Sequence, residues 1–127
     1  MTDTRVLVVD DDEPIRRLIG TVLSRSGYEI DEARHGGEAV SLMQENDYNV
    51  VLMDLMMPVL SGFEVLDWLG EHDQKRLKCV VVMSAAADRD LARLDPETVF
   101  SVLRKPFDLD TVVHTVRMCA GLESHQD

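Results

Sequence analysis

Basic residues are scarce in this chain: 13 Lys and Arg stand against 24 Asp and Glu in 127 residues, a formal charge of −11 at pH 7. No basic surplus exists to displace counterions from a phosphate backbone, which argues against a direct nucleic-acid binder and leaves proteins and cations as partners. Cysteine is scarcer still, with two residues. Cys79 and Cys119 lie in the apolar stretches "KCVVVM" and "RMCAG", where a thiol packs as a small hydrophobe. Two such thiols make neither a disulfide framework nor a metal ligand set. No apolar run reaches the roughly 18 residues of a membrane span, and the opening "MTDTR" lacks the basic-then-apolar order of a secretory signal. A cytoplasmic protein without membrane contact is expected. Repeats, low-complexity tracts and Pro/Gly/Ser linkers are missing too, so one domain over residues 1–121 with a short C-terminal tail at 122–127 is expected.

What the chain does have is 45% hydrophobic residues, enough at this length for one buried core. Ile15, Leu18, Ile19, Val22 and Leu23 follow the spacing of an amphipathic helix, with Pro14 in its first turn and Gly27 just past its end. "VLVV" (6–9), "VVLM" (50–53) and "CVVVM" (79–83) are short unbroken apolar runs rich in β-branched residues, the pattern of strands buried on both faces. "YEID" and "VFSVL" are weaker strand candidates. "GEAVSLMQEN", "FEVLDWLGEH" and "LDTVVHTVRMCAG" read as helices, the last with Leu109, Val112, Val113 and Val116 on one face. Strands alternating with helices predict parallel βαβ units and an α/β fold with helices on both sides of the sheet.

In such sheets the working groups collect beyond the carboxyl ends of the strands. Asp10, Asp11 and Asp12 follow the first strand, Asp54 the third, Ser84 the fourth, and Lys105 with Pro106 the fifth. The sheet would gather these into one cluster of carboxylates, a hydroxyl and an ammonium. Two like charges about 4 Å apart repel by roughly 4 kcal/mol at an effective dielectric of 20, so the gathered acids call for a cation. All-oxygen ligands select a hard ion such as Mg²⁺ that keeps part of its water and can accept phosphoryl oxygens. Taken singly each residue has a plainer use: Asp12 or Glu13 as a helix cap or dipole partner, Ser84 as a turn hydroxyl, Lys105 as a solvated amine. Their joint placement favours a site. His35, His72, His114 and His125 show no ligand spacing. Met53, Met56 and Met57 beside Asp54 read as packing, and Trp68 and Leu69 as a helix face.

"VVDDDE", "VVLMDLMMPVLSGFEVL", "VVVMSA" and "LRKPFD", in this order and at these spacings, resemble the receiver domain of two-component response regulators over essentially the whole chain. The resemblance implies a flavodoxin-like, doubly wound, five-stranded parallel sheet of order 2-1-3-4-5. It implies Asp54 as phosphoryl acceptor, Asp11 as a direct Mg²⁺ ligand, Asp10 as a ligand largely through water, and Met56 as a ligand through its backbone carbonyl. Ser84 matches the switch hydroxyl, and Lys105 the lysine that pairs with Asp54 and then with its phosphate. Pro106 would follow a cis peptide. The implied donor is a phosphohistidine on a histidine kinase or histidine phosphotransfer protein, and the implied output is a downstream protein target. A phosphorylation-dependent dimer is left open. Such a module phosphorylates itself and switches a surface; it is not a turnover enzyme.

The chain departs from the family pattern in places. Val102 stands three residues before the lysine, where Tyr or Phe is usual, and Phe100 lies two residues earlier as an alternative aromatic on the same strand face. "DRDLARL" is short for a helix and is followed by Asp95-Pro96, which interrupts it. Val59 follows Pro58 where glycine is common, while Gly62 is retained. Three rival functions fit parts of the pattern. A flavodoxin-like cofactor carrier needs phosphate donors after the first strand, where "DDDEP" would repel the ligand. A metal-dependent phosphohydrolase needs a second acid where Met56 stands. A receiver-shaped adaptor would bind its partner without phosphorylation.

Overall fold

Three of the apolar runs become the centre of the sheet. The computed structural model describes residues 4–85 and 91–124. In it β1 (Arg5–Val9), β3 (Val50–Asp54) and β4 (Val80–Ser84) are almost wholly buried. β2 (Glu29–Ala33) and β5 (Ser101–Arg104) form the two edges of a five-stranded sheet of order β2-β1-β3-β4-β5. Every pairing is parallel. The edges are the strands that the sequence wrote weakly, because one side of each lacks a neighbour and its residues need not be apolar on both faces.

Alternation along β1 sends Val6 and Val8 to one side and Leu7 and Val9 to the other. The first pair joins Ile19 and Leu23 of α1 (Glu13–Arg25) and Val112 and Val116 of α4 (Leu109–Ser124). The second joins Ala39 and Met43 of α2 (Gly36–Glu45) and Val65 and Leu69 of α3 (Gly62–His72). The sheet is thus the wall between two cores, each side chain burying about 1.5–3 kcal/mol of transfer free energy. A short 3-10 helix (Gln74–Cys79) leads into β4. Cys79 and Cys119 are both buried, as expected of apolar thiols.

The helix ends follow local chemistry. Asp12 caps α1, its side chain accepting from the Ile15 N–H at 3.3 Å, and Pro14 occupies the first turn. Gly27 follows the helix at φ 102°, a left-handed conformation that costs glycine nothing. Ser61 and Glu64 close a capping box at α3. α4 continues through Ser124, past Gly121 where the domain was expected to close. Of "DRDLARL", residues 88–90 lie outside the described residues, and 92–98 form turns and bends around Asp95-Pro96.

The face of α1 differs from the one its apolar residues predict. Arg16, Ile19, Gly20 and Leu23 are the buried positions, whereas Leu18 is 51% exposed. The helix is rotated so that a charged residue points inward. Met56 also departs from its packing assignment: Met53 and Met57 are buried, but Met56 is 54% exposed.

Candidate functional site

Strand order reverses between β1 and β3, and open α/β sheets bind ligands at the crevice this creates. Asp10 directly follows β1 and Asp54 ends β3, so the register that pairs Val9 with Met53 sets the two carboxylates on neighbouring strand ends. Asp10 is fully buried and Asp54 5% exposed, while Asp11 is exposed. Oxygens of Asp10, Asp11 and Asp54 all lie within 4.8 Å of one another. Lys105 reaches back from the loop after β5, its Nζ 3.3 Å from Asp10 Oδ2 and 3.4 Å from Asp54 Oδ2. Of the sequence-predicted cluster, Asp10, Asp11, Asp54 and Lys105 therefore meet from three strand ends, while the Asp12 side chain caps α1.

Main-chain groups hold the acids in place. Asp10 Oδ1 accepts from the Asp12 N–H at 2.9 Å, and Asp54 Oδ1 from the Met56 N–H at 3.1 Å. Ser84 ends β4 and is 1% exposed. Its carbonyl accepts from the Lys105 N–H at 2.7 Å, which ties the hydroxyl-bearing strand to the lysine loop. The Lys105–Pro106 peptide is cis, as the family pattern implies. Gly62 is required by the close passage of α3 over β3: a Cβ there would stand 2.5 Å from the Asp54 carbonyl oxygen.

Burial pushes the Asp54 carboxyl up from its ordinary range, with the Asp10 charge adding to the rise; the Met56 amide and the Lys105 ammonium oppose it without cancelling it. Burial pulls Lys105 down, but the attraction of Asp54 and Asp10 outweighs it and its pKa is raised. One ammonium thus serves two buried carboxylates with a third acid beside them, an excess of negative charge in low dielectric. With oxygen as the only donor type offered, the cluster is compatible with a hard divalent cation such as Mg²⁺, bound by Asp10, Asp11 and Asp54 with the remaining positions hydrated.

Val102 and Phe100 lie away from this cluster, and Phe100 corrects the sequence reading. Val102 packs on the α2/α3 core, whereas Phe100 packs on the α1/α4 core. Phe100 precedes β5, in a bend, and two-residue alternation holds only within a pleated strand. It therefore does not take the place of an aromatic at position 102. Instead it lines a cavity of about 920 Å³ at the amino ends of the strands, with Tyr48, Arg76, Cys79 and Cys119. None of the acid cluster lines this cavity. Sequence reasoning missed Arg16, whose guanidinium reaches the Asp10 carbonyl. Its signal is its helical phase with Ile19, Gly20 and Leu23, which a hydrophobic template discards because the residue is charged.

Fold and site define a doubly wound α/β protein with an acid pocket and one lysine at its topological switch point. The chain belongs to the response regulator receiver domain family, whose sequence profile matches residues 6–117. Among its relatives, Transcriptional regulatory protein SrrA of Staphylococcus aureus is 36% identical over 114 residues, covering 88% of this chain and 46% of that protein. The chain thus spans less than half the length of that relative. The receiver domain of Francisella response regulator 1452 is 29% identical with a TM-score of 0.83, over 94% of this chain and 98% of that one. Response regulator TrrA from Thermotoga maritima, solved in complex with Mg²⁺-BeF, is 31% identical with a TM-score of 0.79, over 91% and 98%.

Proposed function

We propose that this chain is a phosphoacceptor receiver that takes a phosphoryl group onto Asp54 from a phosphohistidine of a histidine kinase or histidine phosphotransfer protein. The observation that carries the reading is Lys105 Nζ bridging the Asp10 and Asp54 carboxylates across neighbouring strand ends, with Asp11 beside them. Asp54 is the nucleophile: its Oδ–P bond forms as the P–N bond to the donor imidazole breaks, and the bonding pair leaves with the nitrogen. Asp10, Asp11, Asp54 and the Met56 carbonyl would hold a Mg²⁺, which would supply charge neutralisation on the transferring oxygens. Lys105 neutralises the same charge from the protein side. Once Asp54 carries the acyl phosphate, its local charge moves from −1 toward about −2, and Lys105 and the Ser84 hydroxyl bind the new oxygens. The rearrangement of those two groups biases the surface presented to a downstream protein target.

The chain acts as a self-phosphorylating switch and not as a turnover enzyme, in the cytoplasm, where histidine kinases present their phosphoryl groups. Among the described residues no helix is long and apolar enough to cross a membrane. Incubation with Mg²⁺ and acetyl phosphate, followed by intact mass measurement, tests the reading. One added phosphoryl group is expected on the wild type and none on Asp54→Ala; an unmodified wild type refutes it. A second reading, a phosphorylation-independent adaptor, is favoured by Val102 and the divergent position of Phe100, which leave position 102 without an aromatic in its place. Equal partner affinity for wild type and Asp54→Asn, with and without phosphodonor, would establish it.

A further inference from the structure

Arg16 is 4% exposed, and its side chain does more than close an ion pair. Nε donates to Glu32 Oε1 at 2.8 Å, and Nη1 donates to the backbone carbonyl of Asp10 at 3.0 Å. A buried guanidinium is costly to desolvate unless its hydrogen bonds are met, and here the two partners come from different elements, β2 and the end of β1. The counter-charge is lopsided: the Glu32 side chain is 38% exposed against 5% for Arg16. Were charge pairing the only role, the cation could have followed its partner to the surface. The bond to Asp10 holds it inside.

That carbonyl belongs to the peptide unit joining Asp10 to Asp11. Peptide planarity means that fixing its oxygen also fixes the N–H and Cα from which Asp11 extends. On the other side of the same residue, the Asp10 N–H donates to the Ala33 carbonyl at 3.2 Å. Asp10 is therefore clamped through both main-chain groups, and its side chain is aimed by the Asp12 amide and Lys105. Asp11, exposed and with fewer constraints of its own, takes its orientation from the Asp10–Asp11 peptide plane.

We infer that Arg16, anchored by Glu32, is a positioning residue for the divalent-cation site: it sets the angle between the Asp10 and Asp11 carboxylates. This inference rests on the metal-dependent reading of the acid cluster proposed above. Outer partners of metal ligands contribute about 10- to 100-fold in metal affinity, and Arg16 acts as one of these through the main chain that carries two of the ligands.

Equilibrium binding of Mn²⁺, followed by the electron paramagnetic resonance signal of the free ion, tests it without requiring phosphorylation. Wild type, Arg16→Met, Arg16→Lys and Glu32→Gln are compared well below their melting temperatures, with Asp11→Asn as the site-deficient reference. Arg16→Met is expected to bind about tenfold more weakly than wild type. Arg16→Lys keeps the charge without the two-pronged geometry and is expected to recover only part of the loss. Glu32→Gln, which leaves the guanidinium without its counter-charge, falls between wild type and Arg16→Met. A folded Arg16→Met with wild-type Mn²⁺ affinity overturns the inference. Should Arg16→Met not fold, wild-type affinity in Glu32→Gln overturns it equally. Failure of the wild type to accept phosphoryl from acetyl phosphate, with the Mn²⁺ order intact, would sink the phosphoacceptor reading and leave the positioning role standing.

Discussion

Asp54 carries a conflict between stability and chemistry. Its buried carboxylate is the nucleophile proposed above, and burial is also what raises its pKa. Because the folded pKa lies above the unfolded value, the folded chain retains that proton through a pH window in which the unfolded chain has released it. Stability contributed by this group is present below the ordinary carboxylate range and is lost as pH rises through the folded pKa. Asp54→Asn removes the charge and keeps the shape. In metal-free buffer at pH 7 it is expected to melt above wild type, with the gap narrowing as pH falls into and below the carboxylate range. Thermal melts across pH 3.5–7.5, a span set about the unperturbed Asp pKa of about 3.9, check this; a variant that melts lower at pH 7 would show that the Lys105 pairing outweighs desolvation. Residues such as Asp10, Asp54, Ser84 and Lys105 could be read from sequence because each closes an apolar run, and a parallel sheet brings such run-ends to one edge. Arg16 could not, since periodicity places charge outside, and only the Glu32 carboxylate and Asp10 carbonyl it meets explain why it lies inside.

At the scale of elements, the β3–α3 loop holds the strained backbone. Val59 sits at φ 66°, in a three-residue turn closed by the Leu60 N–H donating to the Pro58 carbonyl at 2.8 Å. Turns of this hand are rare and strained, and a β-branched residue is poorly suited to positive φ. Val59 is 91% exposed, so little packing offsets the strain. Relief of about 1–3 kcal/mol, less the roughly 0.5–1 kcal/mol entropic cost of glycine, leaves Val59→Gly about 1 kcal/mol more stable. A higher urea midpoint at unchanged slope is the expected outcome. The sequence marked this position through the missing glycine, but not the conformation adopted there. The edge strands were legible only in outline: β2, with Glu29, Asp31 and Glu32, lacks an apolar run, and the bend before β5 sends Phe100 to the opposite core from the one that alternation predicts.

For the whole molecule, charge is the governing quantity. A formal −11 spread over 127 residues favours cation association in general, yet only the strand-end cluster offers three oxygens at close quarters among the described residues. Specific binding is separable from screening. Mg²⁺ is expected to raise the melting temperature of wild type beyond NaCl at matched ionic strength, by about 1.4 kcal/mol of stability at ten times the dissociation constant. Asp11→Asn is expected to respond to the two salts alike, as followed by differential scanning calorimetry. The crossover rules alone leave several strand orders open, and the observed β2-β1-β3-β4-β5 was open to prediction only through the resemblance to receiver domains. The rotation of α1 was not, because it depends on where Glu32 and the Asp10 carbonyl fall in space.

The hydrogen bond from the Lys105 amide to the Ser84 carbonyl, at 2.7 Å, joins through their main chains the two groups proposed above to meet a phosphoryl group on Asp54. Neither can advance by a backbone shift without tugging the other, so on the proposed switch the displacement would run along the seam between β4 and β5, an edge strand with no further strand beyond it among the described residues.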